Sequence, residues 1–365
     1  MAAEDSSKRD RFARKMTAIL NAGALNLGIA IGYRTGLFDA METLPEAGDA
    51  DAMAAAAGLN RRYVEEWLGV MATGGIVELI PTPAGAPHYR LPPEHAAFLC
   101  RRADSVNLAV YTQEIPLLTR LALEPVIASF ASGAGVPYRC YPEFQGFMNE
   151  LAAAKHESLL VQRFLPSVNG GRLLERLRRG IRVCDLGRGQ GVATRLMAEA
   201  FPESRFRGFD LDPEAIAEAA AAAHHRHLTN LSFEVRDAAH LSADPNLKGG
   251  FDFVTAFDAI HDQSRPLEAL RGVLHLLAAD GLFSMIDIAA ESAHQDNLNH
   301  SMGPFLYTVS LLHCLPVGLN DGGAGLGMMW GRERALDLLA EAGFSRVEIV
   351  EMDFDPFNRH FQCRP

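Results

Sequence analysis

The chain has 365 residues, 48% hydrophobic and 22% charged, with a formal net charge of −11, which suits a globular chain of roughly two domains and disfavours nucleic acid as a partner. Its five scattered cysteines (Cys100, Cys140, Cys184, Cys314, Cys363) include no Cys-x-x-Cys pair, which speaks against a zinc knuckle and for a reducing, cytoplasmic setting. A polar, charged start and no apolar run of about 18 residues lead us to expect neither a signal peptide nor a membrane span.

The first third reads as helical. Phe12 to Phe38 carries apolar residues at helical intervals, loosened by Gly23, Gly28 and Gly32. Asp51 to Ala57, the break Gly58-Leu59-Asn60, and Arg61 to Thr73 form a helix-turn-helix pattern with Asn60 as N-cap. Ile76 to Ile80 and His88 to Leu91 read as the strands of a wing. Such a module can enter a DNA groove. Here Arg61 and Arg62 are offset by Glu65 and Glu66, and Trp67, Leu68 and Val70 suggest packing, so protein association is the expected use. We therefore take 1–100 as a winged-helix and dimerisation domain.

Residues 101–171 read as connecting helices, beginning near Asp104 and broken by Gly133-Ala134-Gly135-Val136-Pro137. Their aromatics include Tyr111 and Tyr138. The stretch Leu151 to Lys155 is simply helix-favouring.

The most telling run is Val183-Cys184-Asp185-Leu186-Gly187-Arg188-Gly189-Gln190-Gly191, a buried strand ending in a glycine-rich turn that opens a helix. Nucleotide-like cofactors sit at such junctions, where glycines admit the ligand to backbone amides at a positive dipole end. Strand Arg205 to Phe209 then ends at Asp210, placed to accept bonds from ribose hydroxyls. Ser232 to Arg236 leads to Asp237-Ala238, and Phe251 to Phe257 leads to Asp258 and His261-Asp262. Leu267 to Leu277 reads as a helix and Gly281 to Ile288 as a fifth strand ending near Asp287. Arg332 to Ala342 is a helix closed by Gly343, and Val347 to Glu351 and His360 to Cys363 are final strands. The insertion at 291–330 is too long for an ordinary connection and reads as a lid or pocket wall, with a dimer arm as the alternative.

These motifs resemble the class I S-adenosylmethionine-dependent methyltransferases. More narrowly the chain resembles the winged-helix small-molecule methyltransferases related to a mycobacterial protein. That likeness also covers Gly135-Val136-Pro137-Tyr138, Gly303-Pro304-Phe305-Leu306-Tyr307, His313-Cys314 and Trp330-Gly331. The resemblance implies an α/β, Rossmann-like seven-stranded sheet with an antiparallel last strand, occupying 172–365, and a homodimer. It implies S-adenosylmethionine as cofactor, S-adenosylhomocysteine as product and a small-molecule methyl acceptor. Gly187, Gly189 and Gly191 would shape the cofactor turn, with Asp185 behind it. Asp210 would hold the ribose, Leu211 would pack on the adenine and Asp237 would bond its amino group. Ala238, Phe257 and Asp258 complete the expected cofactor set. Tyr111, Tyr138 and Tyr307 are substrate candidates. The chain departs from the family at Arg188, which stands where a small residue or Cys is usual; a turn working through backbone amides survives this.

Methyl transfer is an in-line displacement, so the enzyme aligns donor and acceptor, excludes water and removes the acceptor's proton. His261, just past the fourth strand, is the expected base, and His313 from the insertion the second candidate. Asp262 is a poor orienting partner for its own neighbour, so a carboxylate from elsewhere is expected in that role. No metal site is expected: His224, His225 and His227 read as a solvated helix end, and Asp287, Asp296 and His300 form a divalent-metal site only if the fold assembles them, which sequence distance does not decide. A nicotinamide oxidoreductase has no use for the third-strand acid. A cofactor-binding, non-catalytic regulator using the winged helix on DNA or protein is the alternative.

Overall fold

In the computed structural model, placement is described for residues 2–44, 46–83, 86–101, 107–187 and 189–365, with side chains from residue 7 onward. Arg188, the expected helix start at Asp104 and the wing turn at 84–85 lie outside the described residues. The chain divides into two compact units, 1–116 and 117–365.

In the first unit the expected Phe12–Phe38 helix is two helices, Ala2–Thr35 and Leu37–Thr43. Gly36 separates them in the left-handed region at φ 74°, where the regular helix cannot continue. Helices Ala50–Ala57 and Arg61–Thr73 follow, N-capped by Asp49, whose side chain accepts from the Ala52 amide, and Asn60, which accepts from the Arg62 amide. The wing is a short antiparallel pair, β1 (Glu78–Ile80) with β2 (His88–Arg90). It starts later than the sequence suggested because the amides of Ile76 and Val77 both turn back to the Met71 carbonyl, at 2.8 and 3.3 Å, finishing the helix before the strand begins.

Two of the glycines that weaken the long helix have a packing reason. A Cβ at position 28 would lie 2.8 Å from the Met71 side chain and 2.9 Å from Val70, and one at position 32 would lie 2.5 Å from the Trp67 ring, whose indole donates to the Gly28 carbonyl at 2.9 Å. Glycine is what lets the helix-turn-helix seat Trp67, 5% exposed, against the long helix. On the other side Arg61 pairs with Asp51 and Glu65, and Arg62 with Glu66, so both arginines of the second helix are matched by acids.

Ser7–Thr35 and Val110–Ser132 reach a mean hydropathy of 1.3 over an 18-residue window, enough in length and composition to cross a membrane. This corrects the expectation that no stretch qualifies. Asparagines, threonines and glycines interrupt the apolar residues of the first segment, and Thr112, Thr119, Pro116 and Pro125 those of the second, but each window carries at most two charged residues. A dimer-forming or core helix passes the same test, so it does not by itself indicate a membrane.

The second unit holds a seven-stranded sheet of β3 (Arg182–Leu186), β4 (Arg205–Asp210), β5 (Leu231–Val235), β6 (Phe251–Phe257), β7 (Leu277–Ile288), β8 (Arg346–Val350) and β9 (Asn358–Arg364). The order is β5-β4-β3-β6-β7-β9-β8; the first five strands are parallel and β9 runs antiparallel to β7 and β8. Successive side chains of each strand point to opposite faces. Val183, Phe206, Phe253 and Leu282 meet Leu173, Leu177 and Met197 on one face, while Cys184, Phe209, Val254 and Phe283 meet Leu270, Val273 and Leu339 on the other. The order reverses between β3 and β6, the arrangement that opens a ligand crevice at the carboxyl edge.

Candidate active site

Everything polar that the sequence placed after the parallel strands arrives at one edge. After β3, Gly187, Gly189 and Gly191 have φ of 60°, 52° and 72°. A Cβ on Gly187 would lie 2.5 Å from the Ala259 Cβ, so both space and backbone require glycine there. The Asp210 carboxylate, after β4, accepts from the Gly189 amide at 2.8 Å and the Asp212 amide at 3.0 Å, tying the turn to the next strand. Asp185 is 1% exposed and accepts from Thr194 and Thr255 hydroxyls at 2.6 and 2.8 Å, so its side chain fastens β3 to its neighbours behind the turn.

Leu211 is 67% exposed and Val235, at the end of β5, 48% exposed. They are uncovered apolar groups beside a carboxylate, a surface that suits the face of a purine. Asp237 caps the short helical turn that begins at Ala238, accepting from the Ala239 amide at 2.9 Å, and its other oxygen accepts from Arg265 at 3.0 Å. Sequence reading missed Arg265, which carries no local signal. These residues are of a kind that could hold an adenosyl group: amides of a glycine turn, the Asp210 carboxylate, an apolar platform and a further acid.

After β6 the chain bends sharply. Asp258 takes φ 48°, rare for a non-glycine residue and concentrated at functional sites. Its carboxylate accepts from Asn358 and lies 3.8 Å from the Lys155 ammonium, which also pairs with Asp355 at 2.7 Å. Burial pushes the Asp258 carboxyl up to about 6 despite that lysine. Lys155 was read only as helix-favouring; the fold makes it the counter-charge of this acid pair. Phe257 points to the sheet's helical layer, its ring 4.9 Å from His156 and 5.4 Å from Phe164.

His261 is 2% exposed. Its Nδ1–H donates to Asp287 Oδ1 at 2.7 Å, from the end of the adjacent strand β7, and that oxygen also accepts the Ile288 amide at 2.8 Å. A carboxylate can only accept, which puts a proton on Nδ1 and aims Nε2 the other way. Nε2 lies 3.4 Å from Asp262 Oδ1. Burial disfavours the charged ring, but Asp287 and Asp262 outweigh it and raise the His261 pKa well above 6.5.

The insertion supplies the second histidine. A π-helical turn, Ser310–Cys314, widens the backbone and brings Cys314 near His261 and His313 Nδ1 to 3.8 Å from Asp262. Burial lowers the His313 pKa, the opposite direction from His261. His313 stacks on Phe144 at 4.0 Å and meets Tyr141 and Tyr138 edge-on at 4.9 and 5.9 Å. The Tyr138 hydroxyl accepts from Gln145 at 2.8 Å, and a Cβ on Gly189 would lie 2.9 Å from the Gln145 Oε1, so the aromatic wall continues to the glycine turn.

Two substrate candidates stand elsewhere. Tyr307 packs against His294 at 5.5 Å, and its hydroxyl accepts from Asn297 at 3.3 Å. Tyr111 belongs to the first unit, in the turn Val110–Gln113. The scattered metal group is not assembled either: Asp287 holds His261, and His300 bonds the Ala289 carbonyl at 3.0 Å.

Residues 23–101 match an Rv2258c-like winged HTH domain, and residues 177–315 match a methyltransferase domain. No curated protein sequence matches the chain. Human N-acetylserotonin methyltransferase, solved in complex with S-adenosylmethionine, is similar with a TM-score of 0.68 at 17% identity, covering 96% of this chain and 97% of that one. An O-methyltransferase family protein from Burkholderia thailandensis gives 0.64 at 14% identity, covering 96% and 98%. The mitomycin 7-O-methyltransferase gives 0.67 at 16% identity, covering 99% and 100%. The fold is the one these structures share, and the domain match makes this chain a methyltransferase-domain protein. In particular, it is one whose methyltransferase domain follows an Rv2258c-like winged helix.

Proposed function

We propose that this enzyme methylates a small molecule, with His261 as the base that accepts the acceptor's proton. The observation that carries this reading is the buried His261–Asp287 pair, 2.7 Å apart, facing an aromatic wall beside the glycine turn. Gly187, Gly189 and Gly191 would receive the cofactor on their amides, with Asp210 at the ribose hydroxyls and Leu211 and Ala238 beside the purine. Asp237 would bond the purine amino group, and Asp258 would face the amino-acid end. When bound, S-adenosylmethionine supplies an electrophilic methyl on a charged sulfonium.

This chain's residues do the rest. Asp287 fixes the imidazole and stabilises its cation, so once deprotonated the ring is a strong base at Nε2. Tyr138, Tyr141, Phe144 and neutral His313 would hold a planar acceptor and exclude water. Of oxygen, nitrogen and sulfur, we favour an acceptor hydroxyl, since proton removal by an imidazole is what an un-ionised hydroxyl most needs, and two of the similar structures are named as O-methyltransferases.

The winged helix would serve pairing of two copies. Phe12, Ile19, Leu20, Leu27 and Ile31 of the long helix are all exposed in the single chain. Matched charges on the second helix leave little net positive charge for DNA, and we keep a cytoplasmic setting as the expected one. Incubation of wild type and His261→Ala with labelled cofactor and a panel of small phenols tests the reading. Label transfer by wild type that falls about 10²–10⁴-fold in the variant supports it; equal transfer by both removes His261 as base.

A further inference from the structure

We propose that the Tyr138 hydroxyl, aimed by Gln145, donates a hydrogen bond to the carboxylate at the amino-acid end of the cofactor. The inference rests on S-adenosylmethionine binding at the glycine turn. It gives the tyrosine two uses, its ring in the acceptor wall and its hydroxyl toward the cofactor. The chain around Tyr138 is pinned on both sides. Before it the Val136 amide donates to the Pro316 carbonyl at 2.9 Å, and after it the Tyr141 hydroxyl donates to the Leu312 carbonyl at 2.8 Å. The Tyr138 ring meets His313 edge-on at 5.9 Å. The Gln145 side-chain amide donates to the Tyr138 oxygen at 2.8 Å, and the Gln145 Oε1 stands 2.9 Å from where a Cβ on Gly189 would lie. One side chain therefore separates this hydroxyl from the glycine turn.

A phenol has one proton to give and lone pairs to receive with. Gln145 engages a lone pair, and among the described residues none accepts the Tyr138 proton. Burial, with Asp262, Asp210 and Asp212 adding to it, raises the Tyr138 pKa, so the proton stays on oxygen. Tyr138 is thus a fixed, neutral donor beside the turn. Chemistry selects what it meets. Asp210, Asp237 and Asp258 are carboxylates, suited to the ribose hydroxyls, the purine amine and the ammonium of the cofactor. The amino-acid end also carries a carboxylate, which can only accept and which those acids repel. It needs donors, and a phenol meeting a carboxylate makes a charge-assisted bond, stronger than a neutral one. The contact is made in binding, and no proton is transferred.

Calorimetric titration of the full-length protein compares S-adenosylhomocysteine with its decarboxylated analogue, which keeps the ammonium, ribose and purine. Tyr138→Phe, which keeps the ring, should weaken S-adenosylhomocysteine at least about 10-fold and the analogue less than about 2-fold. Gln145→Ala should reproduce that selective loss, and the double variant should lose no more than Tyr138→Phe alone, since Gln145 acts through the tyrosine. Equal loss for both ligands places the contact at the ribose or ammonium and overturns the proposal. Unchanged affinity for S-adenosylhomocysteine in Tyr138→Phe also overturns it, the result if the hydroxyl serves the acceptor. Wild type should itself prefer S-adenosylhomocysteine over the analogue at least about 10-fold, which decides even where a variant fails to fold; no preference overturns the contact. Wild type that binds neither ligand removes the cofactor site itself, a failure distinct from these.

Discussion

His261 Nδ1 and Asp287 Oδ1 are 2.7 Å apart with both side chains nearly sealed from solvent, at 2% and 1% exposure. The pair exists because β6 and β7 are parallel neighbours, in register from Phe253–Leu282 to Phe257–Ile286, so their carboxyl ends release the histidine and the carboxylate side by side. Asp287→Asn keeps the shape and removes the charge. We expect a loss of about 10²-fold or more in kcat with little change in KM for the acceptor. Steady-state kinetics on a folded variant check this.

The same pair sets a pH dependence. Asp287 and Asp262 raise the His261 pKa in the folded protein, so as the proposed base it would be blocked by its own proton at low pH. Activity should rise with pH through a limb lying above 6.5, and Asp287→Asn should move that limb to lower pH. For stability the sign is opposite: a raised histidine pKa contributes fully below the unfolded value and is lost as pH rises through the folded one. A kcat-against-pH profile of both proteins reads the first effect.

Two other histidines act at the acid end. Burial lowers His156 and His360 to about 3, so each is neutral when folded and gains a proton on unfolding. Between about 6.5 and 3 the unfolded chain binds more protons, and stability should fall as pH falls through that window. His156→Leu should flatten this acid limb in thermal melts taken across the window.

Gly187→Ala places a Cβ 2.5 Å from Ala259 at a φ of +60°. Cost in stability should be about 1–3 kcal/mol, with a larger loss of cofactor affinity because the turn is displaced. Thermal melts with and without S-adenosylhomocysteine separate the two.

Pairing of two copies would bury the exposed face of the first helix. Leu20→Glu, at a position 69% exposed in the single chain, should convert a dimer to monomers in sedimentation without unfolding the winged helix. A monomeric wild type would remove the proposal.

Much of this was legible because each strand of the sheet is a short apolar run closed by a distinctive polar residue. Gly187 to Gly191, Asp210, Asp237 and His261 are local signals, and most strand ends moved by a residue or two, as in Leu231–Val235 for the expected Ser232–Arg236, while the strand expected from Gly281 begins four residues earlier at Leu277. What escaped depends on distance along the chain. Asp287 reaches His261 across 26 residues, Cys314 comes from the insertion, and Lys155 meets Asp355 over some two hundred. Tyr307 had the right residue type but packs into a separate small core with Leu306 and Met329. Gly28 and Gly32 looked like helix breakers because the side chains that need the space, Met71 and Val70 at Gly28 and Trp67 at Gly32, lie more than thirty residues on.

Calorimetric titration of S-adenosylmethionine and S-adenosylhomocysteine into wild type and Asp210→Ala tests the central claim most directly. The account predicts micromolar binding at one site per chain, weakened at least about 10-fold in the variant, since a charge-assisted bond to the ribose and the anchor of the Gly189 amide are both lost. No binding by folded wild type, or equal binding by both proteins, would contradict it.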